Sequence, residues 1–237
     1  MNDVHSSVIC EEGVIIGDNV TIGAGCKVGA YSIIRGNTAI GENNTFYPHS
    51  IVGGDPQDHK FKGGGNLTIG NNNTFREFST IHRGHLTEIG TVIKDNNYFL
   101  TGAHVGHDCK IGNHNFLANN VLLAGHVELG DHINFSGNGG SHQFCRIGDY
   151  AMISGLSGIR QDVPPYALVQ GDPASIFGIN AIGLKRKGWT SEEVLEVKEA
   201  YRLFRNQLSG DNKYLDILNK FKEESDRGVI SFKRKKS

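Results

Sequence analysis

Cysteine is scarce in this chain and never closely spaced: Cys10, Cys26, Cys109 and Cys145 form neither the CxxC pairs of a zinc ribbon nor the dense pattern of a disulfide scaffold. A reducing, cytoplasmic setting is expected. Proline occurs only 5 times and aromatic residues make up 8%, and with the glycines in step with aliphatic residues this excludes a disordered linker. The glycines keep no every-third-residue order, which excludes a collagen-like chain. No apolar run approaches the ~18 residues needed to span a bilayer. The opening MNDVHSS has neither the basic nor the apolar part of an export signal. Charge of one sign is also missing, since 24 Lys and Arg against 25 Asp and Glu leave a net −1. That balance speaks against nucleic-acid and membrane-surface partners.

What the chain has in excess is glycine, 32 in 237 residues, in step with aliphatic residues. Ile16, Ile22, Val28, Ile34, Ile40, Phe46 and Val52 recur every sixth position. The count resumes with Ile69, Phe75 and Ile81, and from Ile93 it runs unbroken to Ile159 with Ser141 as its one polar member. Neither a 3.6-residue helix nor an alternating strand has this period. A triangular parallel β-solenoid does: each hexad is a short strand and a turn, and three hexads close a coil of 18 residues. Glycine and Asn suit the corners because they tolerate positive φ. The expected fold is a left-handed parallel β-helix over residues 1–179, followed by a C-terminal α-helical domain over 180–237. Two interruptions, 53–66 and 82–91, read as loops thrown out of the coil. Loops on a rigid scaffold carry function, which disfavours a purely structural rod.

In the tail, Thr190 and Glu193 have capping-box spacing, and Val194, Val197, Tyr201, Phe204 and Leu208 trace one helical face. A second helix is expected around Tyr214, Ile217, Leu218 and Phe221. Residues 181–237 hold 14 of the Lys and Arg but 9 of the Asp and Glu, a net +5 against −6 for the rest. An acidic docking partner and an ordinary solvated helix pair both fit that asymmetry.

Residues 18 apart should stack at the strand spacing of ~4.8 Å. His107, Gly125 and Gln143 then form one column, and Asp108, His126 and Phe144 the next. A base, a carboxylate to orient it and a glycine amide facing a developing oxyanion converge, a set suited to acyl transfer. The rival is a zinc hydratase of the gamma carbonic anhydrase kind, because His104, His107, His126 and His142 are close in sequence. The positions stacked beneath His142 are Ala124 and Gly106, which supply no ligand. No metal or other cofactor is therefore expected. His5, His49, His59, His114 and His132 are taken as surface residues on Asn-rich corners.

IHRG (81–84), HVGHDC (104–109), LAGHV (123–127), HQFC (142–145), QDVPPY (161–166) and GLKRKG (183–188), in this order, resemble the bacterial UDP-N-acetylglucosamine O-acyltransferases, which open lipid A synthesis. The resemblance spans essentially the whole chain. It implies His107 as general base for the sugar 3-hydroxyl, Asp108 as its assistant and the Gly125 amide as oxyanion donor. It implies Asp58, Lys60, His104, His126, His142 and Gln143 around the sugar and acyl pocket, and Asn180 and Arg186 at the nucleotide. The donor would be an acyl carrier protein thioester and the assembly a homotrimer. Gly155 matches the position that limits acyl length, and the expectation is that it stands above the catalytic rung and leaves the groove open. Ile182 replaces the family's usual acidic residue and Lys187 the second Arg of a basic pair, losing its planar fork. With those changes, a UDP 3-amino sugar stays open as the acceptor.

Overall fold

A computed structural model describes residues 2–85 and 89–233. Short strands, mostly of two to four residues, alternate with corners so that three parallel sheets wrap one core. Val105 pairs with Leu123, and Leu123 with Ser141, so the coil repeats every 18 residues as the hexad period requires. Ile40 pairs instead with Ile69 and Ile69 with Ile93. These two longer coils carry the excursion loops. Positions 86–88 of the second loop and 234–237 of the basic tail lie outside the described residues.

Every hexad residue from Ile22 to Ile159 is buried, Ser141 included. Phe46, Phe75 and Phe99 stack through the core at 4.9 and 4.8 Å. Beside them, Asn73 Nδ2 donates to Asn44 Oδ1 and Asn97 Nδ2 to Asn73 Oδ1, each at 3.1 Å. This ladder satisfies amides that burial would otherwise leave costly.

Corner residues adopt the left-handed conformation, but they are not only Gly and Asn. One corner column is Asp108, His126 and Phe144, a second His114, His132 and Tyr150, and a third Asn120, Asn138 and Leu156. Ring stacking between coils, 4.4 Å for His126 on Phe144 and 4.7 Å for His132 on Tyr150, offsets the backbone cost of an aromatic there.

Beyond the last coil, Ala167–Gln170 pairs antiparallel with Ser175–Ile179 and turns the chain toward three helices, α1 (Ala181–Arg186), α2 (Ser191–Asn206) and α3 (Lys213–Glu223). Thr190 and Glu193 form the expected capping box, and Val194, Val197 and Tyr201 are buried. The second helix forms where expected and contains Tyr214, Ile217, Leu218 and Phe221; it buries Tyr214, Leu215, Leu218 and Phe221 and leaves Ile217 41% exposed. One helical expectation needs correction. Leu208 lies beyond Gln207, whose left-handed cap ends α2, and is half exposed. No helix among the described residues is long and apolar enough to cross a membrane.

Candidate active site

Asp108 turns its corner at φ 58 with a side chain only 1% exposed, and His107 precedes it at 14%. The His107 Nδ1 stands 2.8 Å from Asp108 Oδ2. A carboxylate only accepts, so Nδ1 carries the proton and Nε2 is left with a free lone pair. Nε2 reaches over Gly125 one coil on, where a Cβ would stand 2.6 Å from it. Any larger residue would displace the imidazole. Among the described residues the Gly125 N–H meets no acceptor, while its carbonyl takes the Phe144 N–H at 3.1 Å.

Asp108 is itself held from several sides. Its Oδ2 accepts the His85 N–H at 2.9 Å, and its own N–H donates to Thr91 Oγ1 at 2.8 Å. His126 Nε2 lies 3.8 Å from Oδ2. Burial pulls the His126 pKa down and pushes that of His104 down to about 4, so His104 is neutral at pH 7. His104 Nδ1 shares a 2.8 Å hydrogen bond with Thr80 Oγ1. Thr80 and His104, with His82, His107, Leu122, Gly125, His142 and Gln143, line a cleft of about 810 Å³, and Asp108 and His126 line a neighbouring one of about 670 Å³.

His107, Asp108 and His126 also bring three ligand atoms within 4.8 Å of one another. The columns counted from sequence for a metal site did not include this trio, and its donor set suits a cation as well as a proton. The two uses exclude each other, because a metal at these atoms would displace the proton shared by Nδ1 and Oδ2.

Other candidates fall elsewhere. Asp58 sits in the first excursion loop, where its carboxylate accepts the Lys60 N–H at 2.9 Å and the His85 ring at 3.1 Å. These contacts, the first above all, hold its pKa below the ordinary value. Lys60 is exposed, whereas His142 and Gln143, also exposed, belong to the wall of the His107 cleft. Asn180 and Arg186 are not beside His107 at all: they line a separate cleft of about 410 Å³ with His132, Tyr150, Ile182 and Lys187. There Asn180 caps α1, accepting from Gly183 N at 3.1 Å and donating to Tyr150 O at 2.8 Å. His132 is half-buried in this second cleft rather than a plain surface residue.

Gly155 also departs from expectation. It stands in the column of Gly137, but that column belongs to the corner of Leu156, not to the corner of Asp108. Within one chain it does not line the His107 cleft. Sequence reasoning passes over His82 and His85. The signal available was HRGH, two histidines three apart inside a loop that breaks the repeat.

The family model described as UDP N-acetylglucosamine O-acyltransferase, domain 2, matches residues 162–235, and the bacterial transferase hexapeptide model matches 19–54 and 90–125. The chain is 40% identical to the acyl-[acyl-carrier-protein]–UDP-N-acetylglucosamine O-acyltransferase of Aliarcobacter butzleri (strain RM4018), over 99% of this chain and 100% of that one. A crystal structure of a UDP-N-acetylglucosamine acyltransferase superposes with a TM-score of 0.92 at 35% identity, covering 98% and 95% of the two chains. The Francisella novicida UDP-N-acetylglucosamine acyltransferase gives 0.85 at 36%, covering 97% and 92%.

Proposed function

This chain belongs to the UDP-N-acetylglucosamine O-acyltransferase family, and on that premise we propose that it transfers an acyl chain from acyl carrier protein to the 3-oxygen of UDP-N-acetylglucosamine, with His107 as general base. The observation that carries the assignment is the His107 ring, fixed by Asp108 with Nε2 free beside the Gly125 amide. Nε2 takes the proton of the 3-hydroxyl as its oxygen attacks the thioester carbon. The Gly125 N–H meets the oxyanion, and collapse of the tetrahedral intermediate expels the thiolate, which recovers the proton from His107. Asp108 stabilises the imidazolium between those steps. All four cysteines are unpaired, which supports a cytoplasmic setting.

One chain does not assemble both halves of such a site, because Asn180 and Arg186 occupy a different cleft from His107. A homotrimer, in which one copy's helical cleft faces its neighbour's catalytic corner, would join them. The same arrangement gives Gly155 its role across the interface. It is exposed, and an added Cβ would meet only Gly137 O at 3.3 Å and Ser136 Cβ at 4.0 Å, so the groove there is open. Gly155→Met is expected to shift preference in a donor competition toward acyl chains several carbons shorter, each excluded methylene forfeiting ~0.8 kcal/mol at most. An unchanged preference at equal stability would remove Gly155 from length selection.

The carrier itself is tested through charge. Of the tail's excess of base, Lys198, Arg202 and Arg205 line a surface cleft on α2. An acyl carrier protein thioester should therefore exceed the matching CoA thioester in kcat/KM at low salt, with the advantage shrinking as salt is added. Equal kcat/KM for the two donors at low salt would contradict carrier recognition by the tail.

A further inference from the structure

His85 has no part in the steps above, yet it touches both loops and the catalytic carboxylate. Its backbone N–H donates to Asp108 Oδ2 at 2.9 Å, the oxygen that also holds His107 Nδ1. Its ring, in a side chain 11% exposed, places Nδ1 3.1 Å from Asp58 Oδ2. With Asp58 ionised, that nitrogen carries the proton and donates. The ring meets Phe61 edge-on at 5.4 Å and His107 at 6.0 Å, so it is wedged between the first excursion loop and the general base. Arg83, two residues earlier, pairs with Asp55 and lies 5.5 Å over the Phe61 ring, a second tie between the same loops.

We propose that His85 is a positioning residue that fastens the first excursion loop to the catalytic corner and so fixes Asp58 where the acceptor sugar is held. The inference rests on the function proposed above, with Asp58 as an acceptor contact. Its two arms separate cleanly. The bond to Asp108 uses the backbone and survives substitution of the side chain. The bond to Asp58 uses the ring and does not. Loss of the ring should therefore weaken acceptor binding and spare the chemical step.

Steady-state kinetics of the full chain, with acyl carrier protein thioester saturating and UDP-N-acetylglucosamine varied, tests this. His85→Ala should raise the acceptor KM by ~10-fold, the usual worth of a charge-assisted hydrogen bond, and leave kcat within about twofold. His85→Asn, which retains an N–H donor near the position of Nδ1, should recover most of the loss. The double variant His85→Ala/Asp58→Ala should be no worse than Asp58→Ala alone, because both remove one interaction. A fall in kcat with KM unchanged, an equal loss in the Asn variant, or additive effects in the double variant would overturn the fastening role. A wild-type enzyme that acylates UDP-N-acetylglucosamine while His85→Ala keeps its KM sinks this inference alone. A wild type that leaves the sugar unacylated sinks the proposed function with it.

Discussion

His107→Ala is expected to lower kcat by ~10²–10⁴ while leaving affinity for UDP-N-acetylglucosamine nearly intact. A sugar hydroxyl is a poor nucleophile until its proton has somewhere to go, and Nε2 is the free nitrogen that the fold presents beside the Gly125 amide. Removing the ring takes away the base but not the amide or the cleft, so binding persists. The measurement is kcat with a hydroxyl acceptor, with acceptor affinity taken independently by calorimetry. The same experiment separates proton transfer from metal chemistry. Prior dialysis against a chelator should leave the wild-type rate unchanged, whereas a loss restored by Zn²⁺ would give His107, Asp108 and His126 to a metal. Wild-type kcat in the alanine variant would remove His107 from the mechanism.

Asp108→Asn should cost ~10²–10⁴ in kcat, although the substitution is nearly isosteric. The carboxylate accepts from both His107 Nδ1 and the His85 N–H through one oxygen. An amide can offer its oxygen to these donors only as a neutral partner, forfeiting the charge that stabilises the imidazolium. If its NH2 turns toward His107 instead, the proton is driven onto Nε2 and the base is blocked. Thermal unfolding should accompany the kinetics, because Asp108 is buried and a loss of fold would mimic a loss of chemistry. A folded asparagine variant with kcat within about twofold of wild type would limit Asp108 to packing.

The fold was legible because its core repeats at a period that no helix or flat strand shares, and even Ser141 keeps its place in the hexad count. The His107, Asp108 and Gly125 set was legible for the same reason: all three lie in unbroken coils, where counting 18 finds the spatial neighbour. Counting fails across the loops. Asp58 and His85 come from two insertions of unequal length, so no fixed offset relates them to each other or to Asp108. Gly155 shows a second limit. Its column follows from the 18-residue count, but it lies two coils and two further hexads beyond His107, and those extra hexads carry it to another corner of the triangle. Asn180 and Arg186 depend on how α1 docks against His132 and Tyr150, which no repeat encodes. The second helix was legible from Tyr214, Ile217, Leu218 and Phe221, all of which α3 contains.

The most direct test is mass spectrometry of the product formed by the wild-type enzyme from an acyl carrier protein thioester, with UDP-N-acetylglucosamine and its 3-amino analogue offered in separate reactions. General-base acyl transfer to the 3-hydroxyl predicts a single ester on the 3-oxygen of UDP-N-acetylglucosamine. Free fatty acid with no acylated sugar, or acylation of the 3-amino analogue alone, would contradict it.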